Sequence, residues 1–313
     1  VTTTHETEPE VSPPSQRGDR IFAGLAKSAG LVILAALAAV FIFLAVEGIP
    51  GVNQPAETYA PLSSFLPYVG RLLFGTVFAA LIALVIAVPF ALGIALFISH
   101  YAPRVLAAPV AYVVDLLAAV PSVVFGLWGA RALAPQLVSV QAWLGEHLGF
   151  IPFFAGPASV TGKTVLTAGV VLAIMILPII TAISREIFAQ TPRLHEEAAL
   201  ALGATRWEMI RYAVFPYARS GIVSAVMLGL GRALGETMAV ALVLSASPVV
   251  TLNMISNTNP ATIASNIASS FAEATPAKLS VLIATGLVLF AFTFAVNFAA
   301  RAVVARSERK FSR

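Results

Sequence analysis

Leu72-Leu-Phe-Gly-Thr-Val-Phe-Ala-Ala-Leu-Ile-Ala-Leu-Val-Ile-Ala-Val-Pro89-Phe-Ala-Leu-Gly-Ile-Ala-Leu-Phe-Ile98 contains no charged side chain. A bilayer core about 30 Å thick is crossed by about 20 residues of helix rising about 1.5 Å each. The run exceeds that length, so it reads as a transmembrane helix. Runs of similar size flank it at 22–46, 108–130, 164–184, 221–245 and 279–300. Pro89, Pro121 and Pro178 fall inside these runs. Proline kinks a membrane helix without forbidding it. The sequence therefore predicts an all-α polytopic membrane protein with six transmembrane helices.

Composition agrees. Of the 313 residues, 58% are hydrophobic and 11% charged, against roughly 45–50% and about 25% in soluble domains. There is no cysteine, which excludes disulfides, thiolate metal sites and cysteine nucleophiles. His5, His100, His147 and His195 show no metal-ligand spacing. No nucleophile, base and orienting acid can be assembled from the many serines, so no catalytic residue is expected. Residues 1–20 carry Glu6, Glu8, Glu10, Pro9, Pro13 and Pro14. They read as a disordered tail, with the membrane domain covering 21–313. The long polar lead and the length of the first apolar run argue against a cleaved signal peptide.

The net charge of +4 follows topology rather than a nucleic-acid patch. With the N-terminus inside, Arg71, Arg131, Lys163 and Lys278 fall outside and Arg232 falls within a span. The other fourteen of the 19 Lys and Arg lie on the inner side. By the positive-inside rule both termini are cytoplasmic. On the outer side, residues 135–149 have Leu137, Val140, Leu144 and Leu148 at helical spacing, as in a short interfacial helix. A second short helix is expected over 259–271, with Asn259 as cap and Pro260 first.

The inner loop at 185–217 is the most informative. It contains Gln190-Thr-Pro-Arg-Leu-His-Glu-Glu-Ala-Ala-Leu-Ala-Leu-Gly203-Ala-Thr-Arg-Trp-Glu-Met-Ile-Arg-Tyr-Ala-Val-Phe-Pro216. Thr191 can cap a helix that starts at Pro192 and ends at a left-handed Gly203. Thr205 and Glu208 have capping-box spacing for a second helix, which Pro216 closes. Leu194, Ala198 and Leu202 give the first helix a narrow apolar stripe.

Three charged residues fall clearly inside predicted spans, away from their ends: Asp115, Arg232 and Glu236. Such groups are costly in a bilayer and mark cavities or partners. Arg232 lies about 18 Å into span five. Glu236 is one turn further on and on the same face if the helix continues. One reading is a self-neutralising i,i+4 pair. The other is an oxyanion contact, because a guanidinium donates two parallel hydrogen bonds to a tetrahedral oxyanion. Glu236 would then be the counter-charge, and Asp115 a weaker pathway candidate or an interhelical polar contact. Gly231 and Gly235 form a small-xxx-small step expected to admit a neighbouring helix.

Glu197-Ala198-Ala199, Gly203, Ile210 and Pro216 stand in the order of the EAA loop of ATP-binding-cassette importer permeases, and the chain resembles that family from about residue 72 to its end. The resemblance implies an importer-permease (MetI-like) core. It also implies that Glu196, Glu197, Ala198, Ala199, Gly203 and Pro216 form the segment that couples to an ATPase. Gly229-Leu-Gly-Arg-Ala-Leu-Gly-Glu-Thr-Met-Ala239 and Gly18-Asp-Arg-Ile-Phe22 resemble the C-type permeases of phosphate importers. In that family the matching Arg and Glu are implicated in phosphate passage. The implied partners are an ATPase dimer that binds ATP and Mg, a second A-type permease, an extracytoplasmic phosphate-binding protein and the lipid of a bacterial inner membrane. No cofactor is expected in this chain and no nucleic-acid partner.

Thr161-Gly-Lys-Thr164 is discounted as a phosphate loop. Its spacing from Gly156 is one residue too long, Pro157 intervenes, and no strand precedes it. Two rivals remain: the same machine for sulfate or molybdate, and a proton-coupled secondary transporter using Asp115 and Glu236.

Overall fold

A computed structural model describes residues 16–311. Residues 1–15, most of the expected disordered tail, lie outside it; from Gln16 onward the chain is already helical. No strand occurs among the described residues. Six helical segments are long and apolar enough to cross a membrane.

Helix α1 (Gln16–Gly48) lies against α12 (Pro276–Phe311), with Phe41 and Phe290 rings 5.8 Å apart. No residue of its apolar window is buried in the isolated chain. The core is the seam between α2 (Phe65–Leu96) and α6 (Val165–Ala189). Ala79, Ala83, Ala87, Ala91 and Ala95 recur every four residues on α2 and are 0–1% exposed. Such spacing puts them in one line. Small side chains let two helices approach closely where lipid supplies no hydrophobic drive. The approach is close enough that Thr181 of α6 donates to the Ala91 carbonyl of α2 at 3.4 Å. Gly169 of α6 fits against Ile82 with no room for a Cβ.

Two crossings depart from the sequence reading, and each departure has a backbone cause. The third is broken. Helix α3 (Arg104–Ala119) stops before Pro121, and Val120 and Pro121 are extended at ψ 129° and 140°. Proline disfavours a helical residue before it. Beyond the break, α4 (Ser122–Trp128), a π-turn and α5 (Ala134–Leu148) form one long rod. Residues 135–149 are therefore the end of that rod, not a separate interfacial helix. Pro178, by contrast, is absorbed inside α6.

After α6 come α7 (Arg193–Ala201) and α8 (Arg206–Met209). Helix α8 runs on through a π-turn, Ile210–Val214, into α9 (Phe215–Leu234). Pro216 was expected to close the second helix. Instead it sits in the first turn of α9, just after the widened turn. A π-turn there eases both the missing N–H and the ring clash of proline. Span five ends at Leu234 rather than residue 245. Gly235, Glu236 and Thr237 break it before the short α10 (Met238–Val243). Gly126 of α4 packs on Ala239, holding α10 against the core.

Opposite the α7–α8 elbow, the far side carries α11 (Ile263–Ser270). Its cap is Thr262, boxed with Ser265, not Asn259. Asn259 instead donates to the Asn253 carbonyl at 2.8 Å inside the preceding loop. Ile263 is fully buried, beside Tyr59, Tyr68 and Val281.

Candidate functional site

Two places assemble the residues singled out in the sequence. The first is the helix break. Arg232 occupies the last turn of α9, and Glu236 lies in the gap before α10. The Glu236 carboxylate is buried and accepts a hydrogen bond from the Ala239 N–H at 3.2 Å. The two residues do not form an ion pair, because the helix that would align them ends between them. Each instead complements a helix terminus: a cation at the C-terminal end of α9, a carboxylate at the N-terminal end of α10. The self-neutralising pair is thereby replaced by two independently placed charges.

Arg232 is exposed and enters a cleft of about 880 Å³ between α6, α9 and α12. The cleft is lined by Ile179, Met227, Leu228 and Gly231 and, from α12, by Asn297 and Arg301. None of the described lining residues is acidic. A Cβ on Gly231 would meet nothing within 4 Å. The small residues of α9 that pack closely are Gly221, Ala225 and Gly229, with the Gly221 and Gly229 positions abutting Ile187 and Ile180 of α6. Residues 229 and 231 are two apart, hence on nearly opposite sides of a helix. Gly231 thus faces the cleft rather than a neighbouring helix of this chain, and Gly235 lies beyond the end of α9.

Asp115 is elsewhere. Its carboxylate on α3 lies 3.7 Å from Arg185 on α6, and about half of its side chain is exposed. This is the interhelical polar contact, outside the cleft.

The second place is the elbow. Helix α7 buries none of its residues. Leu194, Ala198 and Leu202 stand exposed in one stripe, and Glu197 is exposed beside them. Ala199 turns inward to Phe188, Ile210 and their neighbours. Gly203 has φ +87°; its N–H donates to Leu200, and the Ala204 N–H donates to Ala199. This pair of bonds satisfies the terminal carbonyls of α7 and requires the left-handed region that glycine favours. Thr205 and Glu208 complete the predicted capping box. The expected Thr191 cap does not form. The helix starts one residue later, at Arg193, and the Thr191 hydroxyl is buried without a partner. Glu196 points away from the stripe, 3.6 Å from His100 in the π-turn Phe97–Tyr101 that follows α2. The His100 ring in turn hydrogen bonds with Ser99 at 2.7 Å.

Asn297, Arg301 and His100 carried no signal in the sequence as site residues, because each gains its setting from another helix. No cluster of metal-ligating side chains occurs among the described residues. Thr161–Thr164 forms a turn leading into α6, with Thr164 capping that helix.

Comparison with known proteins places this architecture. The family described as "Binding-protein-dependent transport system inner membrane component" matches residues 87–309. The phosphate transport system permease protein PstC 2 of Mycobacterium tuberculosis is 46% identical over 317 residues, covering 95% of this chain and 97% of that protein. PstC of Mesorhizobium japonicum is 37% identical over 304 residues, covering 93% and 91%. Among solved structures, an inward-facing MetNI methionine ABC transporter chain is similar in fold, with TM-score 0.51 and 17% identity over 76% of this chain and 94% of that one. The chain belongs to the binding-protein-dependent transport system inner membrane component family, as a multi-pass membrane permease whose relatives include the PstC proteins.

Proposed function

We propose that this chain is the C-type permease subunit of an ATP-binding-cassette importer that carries inorganic phosphate into a bacterial cell. The observation that carries the reading is likeness along nearly the whole chain to phosphate permeases. The cleft supplies the matching chemistry: an accessible guanidinium with no acid among the described lining residues. Arg232 contacts the passing oxyanion, and Glu236 orders the break that presents it. The elbow faces the cytoplasm, as do both termini, in keeping with the charge asymmetry. The exposed stripe of Leu194, Ala198 and Leu202 is received by an ATPase dimer, which binds the ATP and Mg. Glu197 borders that contact. A second, A-type permease completes the pathway, and an extracytoplasmic binding protein delivers phosphate.

The test is uptake of radiolabelled phosphate in cells lacking and then regaining the chain. Uptake should require ATP, persist with an uncoupler when ATP is maintained, and resist competition by sulfate or molybdate. Arg232→Gln should lower uptake at least about tenfold, the scale of one charge-assisted hydrogen bond, with unchanged amounts in the membrane. Loss of uptake on uncoupling at constant ATP would replace this reading with the proton-coupled one.

A further inference from the structure

We propose that Asn297 and Arg301 form an inner anion station, a second binding point for the oxyanion between Arg232 and release. The proposal rests on the reading of Arg232 as a phosphate contact and names the next residues along the same cleft.

Asn297 and Arg301 stand one turn apart on α12, about 6 Å along its axis, and both line the cleft that Arg232 enters from α9. The two helices are successive crossings and run in opposite directions. Arg232 lies about 25 Å along α9 from its elbow-side start, and Asn297 about 30 Å along α12 from its far-side start. Arg232 therefore marks the outer part of the cleft and Arg301 lies towards its elbow side, with Asn297 just before it and Val304 and Ala305 lining the cleft beyond. The order matches the direction of import.

The donor types also fit. Phosphate presents four acceptor oxygens and up to two negative charges. A guanidinium donates a fork of parallel hydrogen bonds, and a carboxamide adds two N–H donors without charge. A pathway with one strong site would hold its ion; passage needs several sites, each weak enough to leave. A second guanidinium towards the elbow side gives the anion somewhere to go. Arg301 also counts among the inner-side positive charges, but that role demands neither Asn297 one turn earlier on the same face nor a shared cleft with Arg232.

The chain has no cysteine, so Asn297→Cys introduces one thiol. In inside-out vesicles holding the whole importer, that thiol should react with an anionic methanethiosulfonate reagent. Inorganic phosphate should slow the reaction at least about threefold, and Arg301→Gln should erase the protection. Arg301→Gln should also cut the maximal rate of phosphate uptake about tenfold, while Arg301→Lys, which keeps the charge and the topology, should cut it less. A thiol that phosphate does not protect overturns the station, as does normal uptake by Arg301→Gln. If Arg232→Gln transports normally, the underlying reading of Arg232 fails instead. Should Arg301→Gln not reach the membrane, the Arg301→Lys rate and thiol protection decide.

Discussion

Helices α2 and α6 meet along a line of alanines with a glycine fitted against Ile82. Helices α9 and α12 touch over part of their length and leave a cleft of about 880 Å³ between them and α6. Both regions are helix pairs in one chain, and both use small residues. Along the seam the small residues remove space; in the cleft Gly231 leaves it. A seam packed this tightly resists relative motion, since close-packed interiors transmit strain instead of yielding. The cleft has no such constraint. The chain is thus divided into a frame, α2 and α6 with the face of α9 that Gly221 and Gly229 seat on α6, and a working side, the opposite face of α9, which ends in a break and presents Arg232. The elbow connects the two, leaving α6 and feeding α9 directly.

The sharpest way to break this division is to enlarge one glycine on each side of it. Gly169→Leu forces a branched side chain into Ile82. Overpacking of this kind costs about 1–3 kcal/mol or more, and folded protein should disappear from the membrane fraction. Gly231→Ala adds a methyl where nothing lies within 4 Å. The amount in the membrane should not change, and helix propensity even favours the substitution by up to about 1 kcal/mol. Comparable amounts of Gly169→Leu and wild-type protein would mean that the seam is not the rigid element.

The parts of this division that were legible in the sequence are those set by local rules. Apolar length gave the number of crossings and located them, apart from the third, which lies at Ser122–Leu148 and not at 108–130, and the end of the fifth. The elbow was readable because Gly203, Thr205 and Glu208 act on backbone groups within a few residues of themselves. The seam was readable in principle from alanines every four residues, a period that length-based span finding ignores. The break at Gly235–Thr237 was not readable. Apolar residues continue beyond it, and what stabilises it is remote: Ala239 against Gly126 of α4. Prolines show the same limit, since Pro121 ends a helix and Pro178 does not. Misplacing the break also produced the false Arg232–Glu236 pair. Arg301 was read only as a topological charge because its cleft exists solely once α9 and α12 are placed together.

A smaller effect is expected where glycine is required for its backbone rather than its size. At Gly203 a Cβ would meet nothing within 4 Å, yet φ is +87°. Leucine there would be strained by about 1–2 kcal/mol, enough to distort a short elbow but not to unfold six crossings. Gly203→Leu should therefore accumulate normally in the membrane while phosphate uptake falls to background. Gly203→Asn, which tolerates the left-handed region, should keep part of it. Equal uptake by Gly203→Leu and wild type would remove the elbow from the path between frame and working side.

The smallest effect is expected at Asp115, and its smallness is informative. Asp115 and Arg185 join α3 to the frame helix α6 at 3.7 Å. Arg185 lies one turn from the elbow-side end of α6, and the Asp115 side chain is about half exposed. Pairs that solvent or headgroups can reach are typically worth about 0–1 kcal/mol. Asp115→Asn keeps the shape and a hydrogen-bond acceptor while removing the charge. Melting of the purified complex should move by no more than a few degrees, and phosphate uptake should be indistinguishable from wild type. A proton-coupled carrier predicts the opposite, because a carboxylate that loads and unloads a proton cannot be replaced by an amide. Abolished uptake in Asp115→Asn would move the working site from the α9–α12 cleft to the α3–α6 contact and reverse the assignment of frame and working side.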